Sequence, residues 1–274
     1  MESFFSLKGK VIIITGATGL LGSQHAEVIA EAGGNPVLLD LDQKKCDDLA
    51  LNLRSKYQVD SVGYKVDITN EDAIVETLKV IKTRFNSIYA LINNAANNPK
   101  VEDSSEKAFS RLENFPLSVW NADLAVGLTG SYLCAKHFGN LISQNENGGT
   151  ILNISSDLGI IAPDQRLYRK KGLPEELQPV KPVTYSVVKA GLIGLTRYLA
   201  TYWADKNVRC NAICPGGVEN NQNEEFLNEV RSRIPLGRMA KKDEYKGLVL
   251  FLLSESASYI NGSIISADGG RSVW

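Results

Sequence analysis

Nearly unbroken apolar runs alternate along this chain with stretches whose apolar residues recur at helical spacing. Residues 11–15 are a β-branched apolar run that breaks into the glycine-rich Thr15-Gly16-Ala17-Thr18-Gly19-Leu20-Leu21-Gly22. Ala26, Ile29 and Ala30 then set a helical period, so the segment reads as strand, tight turn, helix. The pattern recurs, with strands expected at 36–39, 62–66, 90–93, 150–155, 208–213 and 264–267 and helices near 43–56, 70–85, 117–143, 184–204 and 242–253. Strands this uniformly apolar belong in a parallel sheet covered on both faces. No Pro/Gly/Ser-rich linker, low-complexity tract or solenoid repeat interrupts the alternation, so residues 1–274 are expected to form a single doubly wound α/β domain.

Two stretches fall outside the alternation. Residues 157–182 are broken by prolines and glycines and carry Arg166, Arg169, Lys170 and Lys171, while residues 216–239 carry Asn220-Asn221-Gln222-Asn223. Long loops in a compact domain are usually functional or mobile. Both leave the carboxyl ends of expected strands, the edge where open α/β sheets bind ligands, so substrate loops are expected near 157–184 and 216–239. The amides suit a sugar or polyol with several hydroxyls, or else cap a helix over 224–234. The basic residues suit a phosphate or carboxylate, or else form a solvated face.

Composition narrows the partners. Apolar residues at 43%, charged residues at 22% and a net charge of -1 give no electrostatic case for nucleic acid or an anionic membrane. Cys46, Cys134, Cys210 and Cys214 form no C-x-x-C pair, and His25 and His137 are far apart, so neither a zinc site nor a Ser-His-Asp triad is supplied and no metal is expected. The opening Met-Glu-Ser-Phe-Phe-Ser-Leu-Lys-Gly-Lys lacks a basic region followed by an apolar core, and no apolar run reaches membrane-spanning length, so a cytoplasmic protein is expected.

The turn after the first strand carries the first chemistry. Gly16, Gly19 and Gly22 let the chain turn sharply, let a pyrophosphate approach the backbone, and seat the helix on the strand, with the phosphate at a helix N-terminus. Asp40 closes the second strand, eighteen residues beyond Gly22, where a carboxylate accepts from adenosine ribose hydroxyls and repels a 2′-phosphate. Leu41 follows where a phosphate would want a cation, so NAD is expected over NADP; Asp42 caps the next helix in the competing reading. If 184–204 is helical, Tyr185 and Lys189 lie four apart on one face. A fixed cation favours the phenolate and lowers the tyrosine pKa toward neutrality, as a general acid/base requires. The same spacing arises by chance on many surface helices, so the pair alone does not decide.

From Lys8 to Gly270 the chain resembles the short-chain dehydrogenase/reductase family. The matching residues, in order, are the glycine turn, Asp67-Ile68, Asn93-Asn94-Ala95-Ala96, Ser155-Ser156, Tyr185 with Lys189, Pro215-Gly216, and Asp268-Gly269-Gly270. The resemblance implies a Rossmann-type seven-stranded parallel sheet and a homo-oligomer, tetramer or dimer, built through the two longest helices. It also implies that Asp67 and Ile68 line the adenine pocket, that Asn94 and Ala95 contact the riboses, and that Thr18, Leu21, Pro215 and Val218 complete the cofactor contacts. Tyr185 would exchange a proton with the substrate oxygen while hydride moves to or from the nicotinamide. Lys189 would hold the nicotinamide ribose and depress the tyrosine pKa, and Ser156, the second of its pair, would hydrogen-bond the reacting oxygen.

The chain departs from the family's motifs at three places, and in one interval. The spacing Gly16-x-x-Gly19-x-x-Gly22 belongs to the family's longer sugar-nucleotide branch, and Ala96 replaces the usual Gly. Gly127, before Leu128-Thr129-Gly130, stands where relatives carry an Asn that supports a helix kink and a water beside the lysine; glycine can preserve the kink and offer its carbonyl. The interval from Ser156 to Tyr185, 29 residues, is longer than the family usually needs. The segment 216–239 looks closest to oxidoreductases of bacterial surface-sugar and flagellin-glycan pathways. The expected substrate is therefore a small polar, sugar-derived alcohol or ketone. The rivals are a 3-oxoacyl-carrier-protein-type reductase, which would prefer NADP, and a catalytically silent NAD-binding partner in a sugar pathway.

Overall fold

The computed structural model describes residues 4–97 and 109–273. Seven parallel strands, β1 (Val11–Thr15), β2 (Asn35–Asp40), β3 (Val62–Lys65), β4 (Ala90–Asn93), β5 (Gly149–Ile154), β6 (Val208–Pro215) and β7 (Ile264–Ala267), lie in the order β3-β2-β1-β4-β5-β6-β7. Helices cover both faces, so the sheet is the doubly wound Rossmann type expected from the apolar runs. In β1, Ile12 and Ile14 face one core with Ala26, Ile29, Val249 and Leu253, while Ile13 faces the other with Val37, Ile74, Ile81 and Phe138. That alternation is the period of two of a strand, and burying each such side chain contributes ~1.5–3 kcal/mol.

Strand order reverses between β1 and β4, whose carboxyl ends, Thr15 and Asn93, open the crevice where doubly wound sheets bind ligands. A buried polar ladder ties the elements beneath it. Asn93 Nδ2 donates to Asn153 Oδ1 at 2.9 Å, and Asn153 Nδ2 to Thr196 Oγ1 at 2.8 Å.

Helix boundaries follow local chemistry. Asp42 caps Gln43–Tyr57 by accepting from the Lys45 N–H, and Asn70 caps Glu71–Arg84 by accepting from Ala73. The expected 242–253 helix starts only at Lys246, because 241–244 fold into a turn closed by the Glu244 carboxylate on the Lys241 N–H.

The long helix 117–142 is not uniform. Its α-helical stretches Leu117–Leu124, Gly130–Cys134 and Asn140–Ile142 are separated by π turns at Ala125–Thr129 and Ala135–Gly139. A π turn re-aims the residues around it, and Gly127 sits in the middle of the first. The helix that carries Tyr185 and Lys189 runs Val183–Tyr202. Among the described residues no helix is long and apolar enough to cross a membrane, and no cluster of His, Cys, Asp and Glu could hold a metal.

Candidate active site

The glycine turn is shaped by what crowds it. Gly16 has φ +61°, and a Cβ there would stand 2.8 Å from Ala95 Cα. A Cβ on Gly22 would stand 2.2 Å from the Gly16 carbonyl oxygen, so only glycine lets the helix Gly22–Glu31 start this close to the strand. The first N–H groups of a helix have no intrahelical acceptor, so the turn presents donors to a phosphate.

Neighbouring candidates brace that turn. Asn94 Nδ2 donates to the carbonyls of Thr15 and Gly16, both at 3.0 Å, while Thr15 Oγ1 accepts from the Asn94 and Ala95 N–H groups at 3.1 Å. Asp40 Oδ2 accepts from the N–H of Thr18 at 2.8 Å and its hydroxyl at 2.7 Å, and Oδ1 accepts from the Leu41 N–H at 2.8 Å. Asp40 and Asp42 therefore have separate roles, one clamped to the glycine turn and one capping a helix.

Other cofactor candidates line up less directly. Asp67 is exposed and accepts from the Thr69 N–H and hydroxyl at 2.9 and 2.7 Å. The Ile68 side chain is buried in the core, with Cδ1 2.7 Å from where a Gly130 Cβ would be. Leu21 is half-buried at the start of the first helix. Pro215 ends β6, and Val218 bridges to Ala240 at the root of the 216–239 segment.

Tyr185 and Lys189 are where the helical spacing puts them. Lys189 is buried, its ammonium donates to the Ile154 carbonyl at 2.8 Å, and it lies 5.9 Å from the Tyr185 ring centroid. Burial pushes Lys189 down to about 8, with Cys214 opposing and the nearby Lys181 charge reinforcing the shift. The expected lowering of the Tyr185 pKa is not what this structure has. Burial pushes the phenol above its ordinary value and Asp157 adds to the rise, against a lowering hydrogen bond with Ser156. Lys189, aimed at a carbonyl and partly neutral, does not offset that burial.

The two serines separate cleanly. Ser155 Oγ donates to the Lys189 carbonyl at 2.7 Å and holds the helix to the strand end. Ser156 is the one that acts to lower the Tyr185 pKa; its Oγ donates to Asp157 Oδ1 at 2.8 Å and accepts from the Leu158 N–H at 3.2 Å.

Four charged groups escape a reading by motif. Lys181 Nζ stands 3.8 Å from the Tyr185 ring centroid, and burial pushes it down to about 8 while Asp157 opposes the shift. Its spacing four residues before Tyr185 is the one sequence signal for it. Asp157, directly after the serine pair, is buried and ion-paired at 2.7 Å with Arg271, a partner 114 residues away that sequence gives no reason to suspect. Asp123, on the long helix, accepts from Thr184 Oγ1 at 2.6 Å.

Asp123, Gly127, Lys181, Tyr185, Val188 and Lys189 line one cavity with Ala96 at its rim. A Cβ on Gly127 would stand 2.4 Å from Val188 Cγ1, and the Gly127 carbonyl accepts from Ser131 Oγ at 3.0 Å. The kink thus survives the loss of a side chain as a π turn.

The two loops resolve mostly toward their plainer readings. Arg166 pairs with Asp164 at 2.8 Å, Arg169 with Glu175, and Lys171 with Glu225 at 3.5 Å, so these cations are matched by carboxylates rather than gathered into an anion site. Asn223 caps Glu224–Arg231 by accepting from the Phe226 N–H, and Gln222 bonds the Asn220 N–H and the Val218 carbonyl. Those amides are engaged in the local turn.

Comparison with known proteins agrees with this fold. Residues 10–168 match the family model described as short chain dehydrogenase, and residues 175–272 one described as Enoyl-(Acyl carrier protein) reductase. A 3-oxoacyl-(acyl-carrier-protein) reductase of Aquifex aeolicus is 33% identical over 269 residues, spanning 96% of this chain and 98% of its own. An NAD-dependent glycerol dehydrogenase of Listeria innocua is 28% identical, spanning 98% of this chain and 96% of its own. A solved short-chain type dehydrogenase/reductase of Mycobacterium marinum superposes with a TM-score of 0.83 at 26% identity, covering 99% of this chain and 98% of the other.

Proposed function

The chain belongs to the short-chain dehydrogenase/reductase family of oxidoreductases, and from that premise we propose an NAD-dependent enzyme that interconverts a secondary alcohol and a ketone on a small polar substrate. The observation that carries this reading is that buried Ser156 and Lys189 and half-buried Tyr185 gather at the carboxyl end of β5, on the ligand-binding edge of the sheet that also carries the glycine turn. A bound nicotinamide would accept or donate the hydride. Tyr185 gives or takes the proton of the reacting oxygen, Ser156 orients that oxygen, and Lys189 supplies the nearby cation. The high phenol pKa means Tyr185 rests protonated, ready to donate to a carbonyl.

NAD is favoured by Asp40, whose clamped carboxylate would face the ribose hydroxyls and repel a 2′-phosphate, and by Leu41, exposed where a cation would otherwise stand. The NAD-dependent Listeria relative supports the same choice. The two readings of substrate divide on different observations. A sugar-derived alcohol rests on the resemblance of residues 216–239 and on the polyol substrate named for the Listeria enzyme. Reduction of a 3-oxoacyl group is supported by the Aquifex relative. Exposed Tyr132, Tyr198 and Tyr202 on the two longest helices support a homo-oligomer, and four buried free thiols suit a reducing, cytoplasmic setting.

Following NADH and NADPH absorbance with polyols, sugar acids, sugar phosphates and 3-oxoacyl thioesters decides among these. Turnover of a polyol or sugar with NAD is expected; turnover confined to 3-oxoacyl thioesters with NADPH would replace the reading with the second one.

A further inference from the structure

Lys181 closes the long interval between Ser156 and Tyr185, and its backbone is tied down on the way in. The Val180 N–H donates to Ser110 Oγ at 3.1 Å, and the Lys181 N–H donates to Gln165 Oε1 at 2.8 Å. Pro182 then leads directly into the helix Val183–Tyr202. From this fixed stem Lys181 carries its ammonium over the face of Tyr185, 3.8 Å from the ring centroid, where the ring attracts a cation. The phenol oxygen is one bond beyond the ring, so the ammonium stands within about 7 Å of it. Lys181 and Tyr185 line one cavity together with Lys189 and Asp123. The latter two charges have fixed engagements, since Lys189 Nζ donates to the Ile154 carbonyl at 2.8 Å and Asp123 Oδ2 accepts from Thr184 Oγ1 at 2.6 Å. Arg166, Arg169 and Lys171, from the same interval, pair with carboxylates of the loops, so Lys181 is the cation that this interval delivers to the cavity.

We infer that Lys181 is a substrate-binding residue that holds a carboxylate of the substrate, so that the alcohol or ketone presented to Tyr185 belongs to a hydroxy acid or keto acid. The inference rests on Tyr185 meeting the reacting oxygen, and it narrows the polar substrate of that same site. An ammonium has three donors, so a contact with the ring does not exhaust it. Charge-assisted N–H···O⁻ bonds run about 2.7–2.9 Å, and a hydroxyl bond to the phenol is about as short. A reacting oxygen on Tyr185 and a carboxylate oxygen on Lys181 are then spanned by roughly two or three carbons, as in a 2- or 3-hydroxy acid. A carboxylate fits better than a phosphate because Asp123 lines the same cavity, and the more highly charged phosphate would meet more of its repulsion. Lys181 grips a part of the substrate whose charge does not change in the reaction, so it serves selection and binding rather than the proton transfer.

Ligand-observed NMR titration of the full-length protein, with NADH present and again without it, compares glycerate with glycerol and 3-hydroxybutyrate with butane-1,3-diol. Glycerol 3-phosphate serves as the phosphate probe. At least one acid is expected to bind about tenfold or more tighter than its uncharged counterpart, the size of a hydrogen bond to a charged group. Lys181→Gln is expected to erase that preference while leaving the uncharged probes unmoved, and Lys181→Met takes its place should the first variant not fold. A lysine acting only on the ionisation of Tyr185 would leave these binding ratios as they are in wild type. The proposal is overturned if neither acid is preferred with or without NADH, if the preference survives the loss of the Lys181 charge, or if glycerol 3-phosphate is held more tightly than both acids. The preference is also read in Tyr185→Phe, which keeps an aromatic face beneath Lys181. Turnover by that variant is measured separately and bears only on the acid/base assignment, so the two readings can fail independently.

Discussion

Val188 Cγ1 occupies the space that any side chain at residue 127 would need, 2.4 Å from the position of a Cβ on Gly127. The two residues face each other from the π turn Ala125–Thr129 and the helix Val183–Tyr202, so each constrains the other. Gly127→Asn alone should therefore overpack the contact and cost ~1–3 kcal/mol. Adding Val188→Ala should recover most of that loss. Denaturant unfolding of both variants checks this, and equal stability of the single and double variants would mean the contact is not the constraint.

Asp40 is expected to choose the nicotinamide. Its carboxylate accepts from Thr18 and Leu41 and retains lone pairs for ribose hydroxyls. Asp40→Ser with Leu41→Arg should raise the Kd for NADH by about tenfold, the size of a lost hydrogen bond to a charged group, and tighten NADPH. Nicotinamide fluorescence titration measures both; an unchanged preference would show that other residues set it.

His25 should make the protein acid-sensitive. It is buried, both ring nitrogens lack a hydrogen-bond partner, and burial pushes its pKa from 6.5 to about 4. The native state resists the proton that the unfolded state accepts, so stability is full above about 6.5, falls as pH drops toward about 4, and then levels, a loss of ~3 kcal/mol. His25→Leu should flatten that slope and stabilise the protein at pH 5. Chemical unfolding across this range, with wild type and variant, shows whether the slope belongs to His25.

The parts of this molecule that are legible in its sequence are those written at short range. Ile12, Ile13 and Ile14 announce a strand buried on both faces, the glycines announce a turn, and a helical period suffices to bring Tyr185 and Lys189 together. Arg271 and Asp157 are invisible as a pair because only the folded sheet brings a C-terminal turn to the end of β5. The π turns carry no periodic signal of their own, since one extra residue in a turn shifts the phase of the apolar stripe, and a shift inside a five-residue segment is too short to register as a new period. The cations of 166–171 invite an anion, yet their partners Asp164 and Glu175 lie within the same loop, and charge matched so locally cancels what the composition suggests.

Tyr185 is expected to move the proton. Tyr185→Phe removes one hydroxyl and leaves the glycine turn, Asp40 and Lys189 in place. Turnover, followed by NADH absorbance on whichever substrate the panel identifies, should fall by about a thousandfold or more, with the NADH Kd within about twofold of wild type. Turnover within tenfold of wild type, with cofactor binding unchanged, would contradict the assignment.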